Sequence, residues 1–354
     1  MNFEWNKYKL SNKLEIDSSI EYILIIPNQQ KLLITNTSFI KIYNIKTLNL
    51  EGELKFDGIK EIDNLCLLNN GHISICTKNC VFLISLNEDN TYNIIQKIEF
   101  PEIEEINYKY VSELKNSNLC VLSEDKIFIY GMNKDDNLYK NILTFEENYI
   151  QYETEKGINN CCIELIYPEK GIDNIIAVHL SNVSQISFWD LNLKGKVNDT
   201  KDNHCNGYGG KNIFCLMNQG KYLFCACIDE AIEIYLTENC ERIKTLYDYY
   251  WHLAFLKISE NQILSGGDFG KITLYEFDFE HEYFKNKKKK LNMNETKEVE
   301  KVIDIEIPEE FEKNKKKYGH SSCIDKIMKF EDTIISSSCY EKDKKSFVCF
   351  WNKE

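Results

Sequence analysis

The chain is patterned in short runs in which apolar and polar residues alternate, and most of these runs close on an aromatic ring. They occupy residues 39–44, 81–85, 127–131, 186–190, 232–235, 272–276 and 347–352. Alternation at period two marks a half-buried strand, and no stretch of similar length shows the period of an amphipathic helix. Very little helix is expected. Around each run the same grammar repeats: two apolar runs, a tight turn before the aromatic-ended run, then a fourth run. In the fifth unit these are residues 213–217, 222–227, the turn Asp229-Glu230, residues 231–236 and residues 242–246.

The last bulky position of each run serves as a ruler. The positions are 43, 84, 130, 189, 235, 275 and 351, spaced by 41, 46, 59, 46, 40 and 76 residues. Four of the six spacings match the roughly 40 to 45 residues of a four-stranded propeller blade. The two long spacings need insertions, expected in the polar stretches at about 193–211 and 279–318, the second of which carries the run Lys287, Lys288, Lys289 and Lys290. The fold class expected is all-β: residues 1–354 as a single seven-bladed β-propeller.

Closure follows from the same grammar. The chain stops three residues after Trp351, which leaves the seventh blade without a fourth strand, while residues 13–17 alternate as a strand ahead of the first blade. Pairing the two closes the ring and removes exposed edges, which otherwise template aggregation. The expectation is that residues 14–17 pair with the strand ending at Trp351, and that residues 302–307 return after the second insertion as the fourth strand of the sixth blade.

Several units carry further signals. The seventh holds Gly319-His320, then Ile334-Ile335-Ser336-Ser337, and ends on Trp351-Asn352; the fourth holds Trp189-Asp190; the sixth holds Leu264-Ser265-Gly266-Gly267-Asp268-Phe269-Gly270. On these residues the chain resembles the WD-repeat family, whose archetype is the G-protein β subunit. The resemblance covers nearly the whole chain and is degenerate in most units. It implies a buried hydrogen-bonded tetrad of His, Ser or Thr, Asp and Trp in each well-formed blade. Carried over, His320, Ser336 and Trp351 fit in the seventh unit and Ser265 and Asp268 in the sixth, where Tyr275 replaces Trp and no His is evident.

Composition narrows the function. The chain is 43% hydrophobic and 12% aromatic, enough to bury a large core. Net charge is −13 with a pI near 5.2, and Arg242 is the only arginine. A chain this poor in arginine's planar fork is ill suited to phosphate or guanine recognition, and its field repels nucleic acid and anionic lipid alike. The 14 cysteines form no CxxC pair and no zinc-spaced set, and they are expected to be reduced and structural. With no apolar leader and no membrane-length apolar stretch, a cytoplasmic or nuclear protein is expected.

Catalytic signals are absent from the sequence. The six histidines show no metal spacing, and residues 207–211, Gly-Tyr-Gly-Gly-Lys, lack the spacing of a phosphate-binding loop. No enzyme activity, no metal and no cofactor are expected. What remains is surface recognition. The connections from one blade's fourth strand to the next blade's first are rich in aromatic residues: Tyr108, Tyr110, Tyr149, Tyr152, Tyr249, Tyr250 and Trp251, with carboxylates such as Glu104, Glu147 and Asp248 among them. Rigid amphipathic rings anchor interfaces at low entropy cost, and about half of these are expected to be buried instead as plugs between blades. The resemblance places these connections on the top face. The expected role is a non-catalytic scaffold or adaptor for other proteins, possessing affinity for basic segments, monomeric alone or a subunit of a larger complex. The alternatives are a structural subunit of a large assembly and a ubiquitin-ligase substrate receptor.

Overall fold

The computed structural model describes residues 8–36, 38–56, 61–77, 79–100, 110–114, 116–122, 126–133, 135–146, 162–166, 175–179, 186–191, 193–199, 213–227, 231–247, 251–267, 270–277, 300–305, 323–338 and 345–353. They form seven four-stranded antiparallel sheets, the blades of a β-propeller. After β1 (Tyr8–Ile16), blade 1 is β2 (Tyr22–Ile26), β3 (Lys31–Thr35), β4 (Phe39–Asn44) and β5 (Leu50–Lys55). Blade 2 is β6 (Ile62–Leu67), β7 (Ile73–Thr77), β8 (Cys80–Leu86) and β9 (Tyr92–Glu99). Blade 3 is β10 (Tyr110–Glu113), β11 (Leu119–Leu122), β12 (Lys126–Met132) and β13 (Tyr139–Glu146). Blade 4 is β14 (Cys162–Ile166), β15 (Ile175–His179), β16 (Ser187–Asp190) and β17 (Gly195–Asp199). Blade 5 is β18 (Ile213–Gln219), β19 (Tyr222–Cys227), β20 (Ala231–Leu236) and β21 (Arg242–Tyr247). Blade 6 is β22 (His252–Ser259), β23 (Gln262–Gly267), β24 (Ile272–Phe277) and β25 (Glu300–Ile305). Blade 7 is β26 (Ile324–Phe330), β27 (Thr333–Ser338) and β28 (Ser346–Lys353), completed by β1. Among the described residues helix is confined to 3-10 turns, at Pro27–Gln29 and at Gly270.

The sequence pattern has a plain origin. The second strand of a blade is covered on both faces by neighbouring blades, so Lys31–Thr35, Ile73–Thr77 and Tyr222–Cys227 are buried at every position. The fourth strand lies at the rim, and Leu50–Lys55 and Tyr92–Glu99 are mostly exposed. Seven apolar clusters fill the gaps between successive blades, one to each gap, and the last joins blade 7 to blade 1. Each ruler residue packs against the preceding blade: Tyr43 faces blade 7, Tyr130 faces blade 2 and Trp351 faces blade 6.

Closure takes the expected form and is longer than expected. Strand β1 begins at Tyr8 and pairs antiparallel with β28, with Leu10 opposite Trp351 and Leu14 opposite Val348. Tyr8 adds its ring to the cluster between blades 6 and 7, and Ile16 adds to the one between blades 7 and 1.

The first expected insertion begins with a strand. Residues 195–199 are strand β17, and the long spacing before Trp189 is shared among the connections from β13 to β14, β14 to β15 and β15 to β16. The rest of that stretch, residues 200–211, lies outside the described residues, as do 279–299 and 306–318 with the lysine run. The fourth strand of blade 6 spans 300–305, two residues ahead of its expected position.

Two devices recur that the sequence pattern does not show. In blades 1, 3 and 5 the connection from third to fourth strand closes with a backbone bond onto the end of the third strand: Leu48 N–H to the Asn44 carbonyl, Asn137 to Asn133 and Cys240 to Leu236. The donor in each case is left-handed at φ 60°, 55° or 57°, a conformation that L side chains seldom adopt. Asn44 and Asp190 cap their turns through Oδ1, accepting from Thr47 N and Leu193 N at 3.0 Å, so the residue after the aromatic is a turn cap. Beyond the turn, six of the seven fourth strands carry a one-residue bulge at the same height, opposite the ruler position. The bulged residues are Ser11, Glu51, Ile95, Ile142, Val197 and Ile243. Blade 6 pairs β24 with β25 without a shift.

Candidate protein-binding face and its buried supports

The first strands of the seven blades pack against one another in a ring and line the central axis. Their starting ends, with the connections from the preceding blades, define the upper face. Four of these strands are bulged at that end against the second strand, in blades 2, 5, 6 and 7, and the residues left over are Asp63, Phe214, Leu253 and Asp325. A bulge re-aims a side chain out of the regular alternation. All four are partly exposed. Phe214 lies beside Trp251, with ring centroids 6.2 Å apart and planes tilted by 35°. The blade 5–6 side of the face is therefore aromatic and apolar, while blades 7, 1 and 2 bring Asp325, Glu21, Glu61 and Asp63. Lys326, next to Asp325, is held over the Tyr22 ring at 4.5 Å.

Of the aromatic residues singled out in the sequence, two are described. Tyr110 is half-buried at the start of β10 and packs against the cluster between blades 3 and 4; Trp251 is half-buried before β22. Both are part plug and part surface. Tyr108, Tyr149, Tyr152, Tyr249 and Tyr250 lie outside the described residues, as do Glu104, Glu147 and Asp248. Phe214, Asp63 and Asp325 were missed because they sit inside strands, where only the bulge exposes them.

Beneath this face lie the polar supports. In blade 7 the indole N–H of Trp351 donates to Ser336 Oγ at 2.9 Å, both residues being buried. In blade 6 His252 Nδ1 meets Ser265 Oγ at 2.8 Å, and the Tyr275 hydroxyl lies 3.4 Å from His252 Nε2. A neutral imidazole has one donor and one acceptor nitrogen, so it joins the two hydroxyls into a chain. Blade 6 thus does have its His, contrary to the sequence reading. Its signal was its place directly after Trp251 at the start of the first strand, 13 residues before Ser265. His320 and Asp268 lie outside the described residues.

The glycine pair in blade 6 is explained by close approach. A Cβ on Gly267 would overlap the Trp251 carbonyl oxygen, and one on Gly266 would come within 2.6 Å of Ile324 Cγ2 in blade 7. The pair lets β23 lie tightly under the upper face.

Register shows which residue replaces Ser336 and Ser265 in the other blades: Ile34, Ile75, Val121, Val178 and Cys225. Blades 1 to 4 are aliphatic there, and the Trp189 indole nitrogen is buried with no hydrogen-bond partner. Blade 5 uses a different arrangement. Glu233, only 2% exposed, accepts from the Tyr235 hydroxyl at 2.7 Å and from Arg242 Nη1 at 2.9 Å. The one arginine of the chain is committed to this internal pair. Burial, with the nearby Cys225 thiol and Glu233 carboxylate, pushes the Tyr235 phenol far above its ordinary range. On the same outer strand, burial pulls the Lys244 ammonium down to about 8.

Among the described residues no group of His, Cys, Asp and Glu is arranged to hold a metal ion, and no helix is long and apolar enough to cross a membrane. Compared with models of known protein families the chain matches none, and no curated protein matches it, so the seven-bladed architecture rests on strand pairing and packing.

Proposed function

We propose that the chain is a propeller of the WD-repeat kind serving as a non-catalytic scaffold, and that its upper face holds a lysine- or arginine-bearing segment of a partner protein. The observation that carries this reading is the division of that face: Phe214, Trp251 and Leu253 on one side, and Asp63, Glu61, Glu21 and Asp325 on the other. A cationic side chain gains both from carboxylates and from the face of an aromatic ring. The net charge of −13 steers such a ligand in.

Binding of fluorescent lysine-rich and glutamate-rich peptides of equal length, measured against salt, tests the reading. The basic peptide is expected to bind, to weaken as salt shortens the Debye length, and to lose about 1 to 4 kcal/mol with Phe214→Ala plus Trp251→Ala. Equal affinity for the two peptides would sink it. A second reading, a structural subunit that works through its sides, is favoured by the exposed aliphatic residues at the rim, among them Ile94 at 52% and Ile142 at 57%.

A further inference from the structure

The exposed apolar residues of this ring are not scattered. Among the described residues all the large ones lie on the last two strands of blades 1 to 4 or in the turns that join them. The recurring bulge accounts for two of them. A bulge takes a residue out of the regular ladder and re-aims its side chain, and the bulges sit at one height around the rim. In blades 2 and 3 the bulge positions hold Ile95 and Ile142, whereas blades 7 and 1 place Ser11 and Glu51 there and Ile243 of blade 5 packs back onto the cluster between blades 5 and 6. Ile95 is 41% exposed and Ile142 57%. With Ile94, Met132 and Leu193 they make an apolar belt over blades 2 to 4, on a protein otherwise rich in surface charge.

The charges beside the belt are paired at home. Lys97 meets Glu99 at 2.7 Å, Lys140 meets Asp136 at 2.6 Å and Lys196 meets Asp199 at 2.8 Å, each pair within or next to its own outer strand. The belt is thus locally neutral on a chain of net charge −13. It offers no field to a partner rich in one sign of charge. It is also the stretch of rim on which two copies of this chain can meet without the repulsion that acts elsewhere. A two-fold contact there sets aliphatic residues against aliphatic residues and lets each paired lysine and carboxylate face its opposite. The bulges rule out joining the blades edge to edge as one sheet, so the contact is made by side chains.

We infer that the belt on blades 2 to 4 is the contact surface for a second copy of this chain. This does not depend on the upper-face reading. Sedimentation of the full chain over a wide concentration range is the test. A reversible dimer is expected. Ile95→Lys with Ile142→Lys should raise its dissociation constant at least about tenfold while the circular dichroism spectrum and melting temperature stay near those of the parent. Glu51→Ile, which extends the belt onto blade 1, should tighten the dimer, giving a gain that no folding defect can imitate. A monomer at every concentration overturns the inference, as does a dimer indifferent to all three changes. A monomeric chain whose lysine variant loses a different protein also overturns it and assigns the belt to that protein.

Discussion

Trp189 sits 5% exposed between blades 3 and 4 with its indole N–H bonded to nothing, while Trp351 in the equivalent place donates to Ser336. The difference lies in one position on the neighbouring strand, where Val178 stands in for the serine. An orphaned buried donor costs about 1 to 3 kcal/mol. Val178→Thr keeps the branched shape and places a hydroxyl where Ser336 has one. It should raise stability by about 1 kcal/mol, measured by chemical denaturation, because the buried indole donor gains an acceptor. A loss of similar size would mean that the indole and the new hydroxyl do not meet. The same comparison shows why the tetrad residues were only partly legible in the sequence. Ser336 and Trp351 belong to runs whose period identifies them, but His252 opens its strand without the glycine that introduces His320, and register alone reveals it.

At the scale of the element, the ruler positions were legible because a third strand packed between two blades must end on a bulky apolar residue. The bulges were not, since a bulge adds one residue without a characteristic side chain, as the range from Ser11 and Glu51 to Ile243 shows. The turns were hidden for a related reason: Leu48, Asn137, Lys194 and Cys240 hold left-handed conformations with no glycine to announce them. Blade 5 makes the clearest case of an element with its own solution. Its outer strand β21 and third strand β20 are tied by Arg242 and Glu233, an ion pair with one partner almost fully buried. Removing the cation leaves a desolvated carboxylate, so Arg242→Met should cost about 3 to 5 kcal/mol. Replacing both, Glu233→Leu with Arg242→Met, should recover most of that loss, because no buried charge remains. Denaturation midpoints of the two single variants and the double variant give the coupling, and additive losses would show that the pair does not act as a unit.

The whole molecule is held by its seven inter-blade clusters, and the ring is only as cooperative as its closing seam. Strand β1 does three things there at once. It completes the hydrogen bonding of β28 from Tyr8 to Ile16, it adds Tyr8 and Ile16 to the clusters on either side of blade 7, and it sets Ser11 at the bulge, where its hydroxyl donates to the Phe350 carbonyl at 2.9 Å. An ion pair between Glu15 and Lys345 adds to the same seam. Deleting residues 1–18 would therefore expose the edge of β28 and open two clusters together, with Trp351 and Phe350 losing cover on their outer side. Each buried aliphatic or aromatic side chain removed accounts for about 1.5 to 3 kcal/mol of transfer free energy, before the lost ladder is considered. Against the 5 to 15 kcal/mol that holds a typical domain folded, this is enough to abolish cooperative melting or to lower its midpoint by many degrees. A peptide spanning residues 8–18, added to the truncated chain, should restore the transition in proportion to its concentration, since it binds only the folded ring. A truncated protein that melts as the parent does, or one that ignores the peptide, would show that the ring stands without its seam.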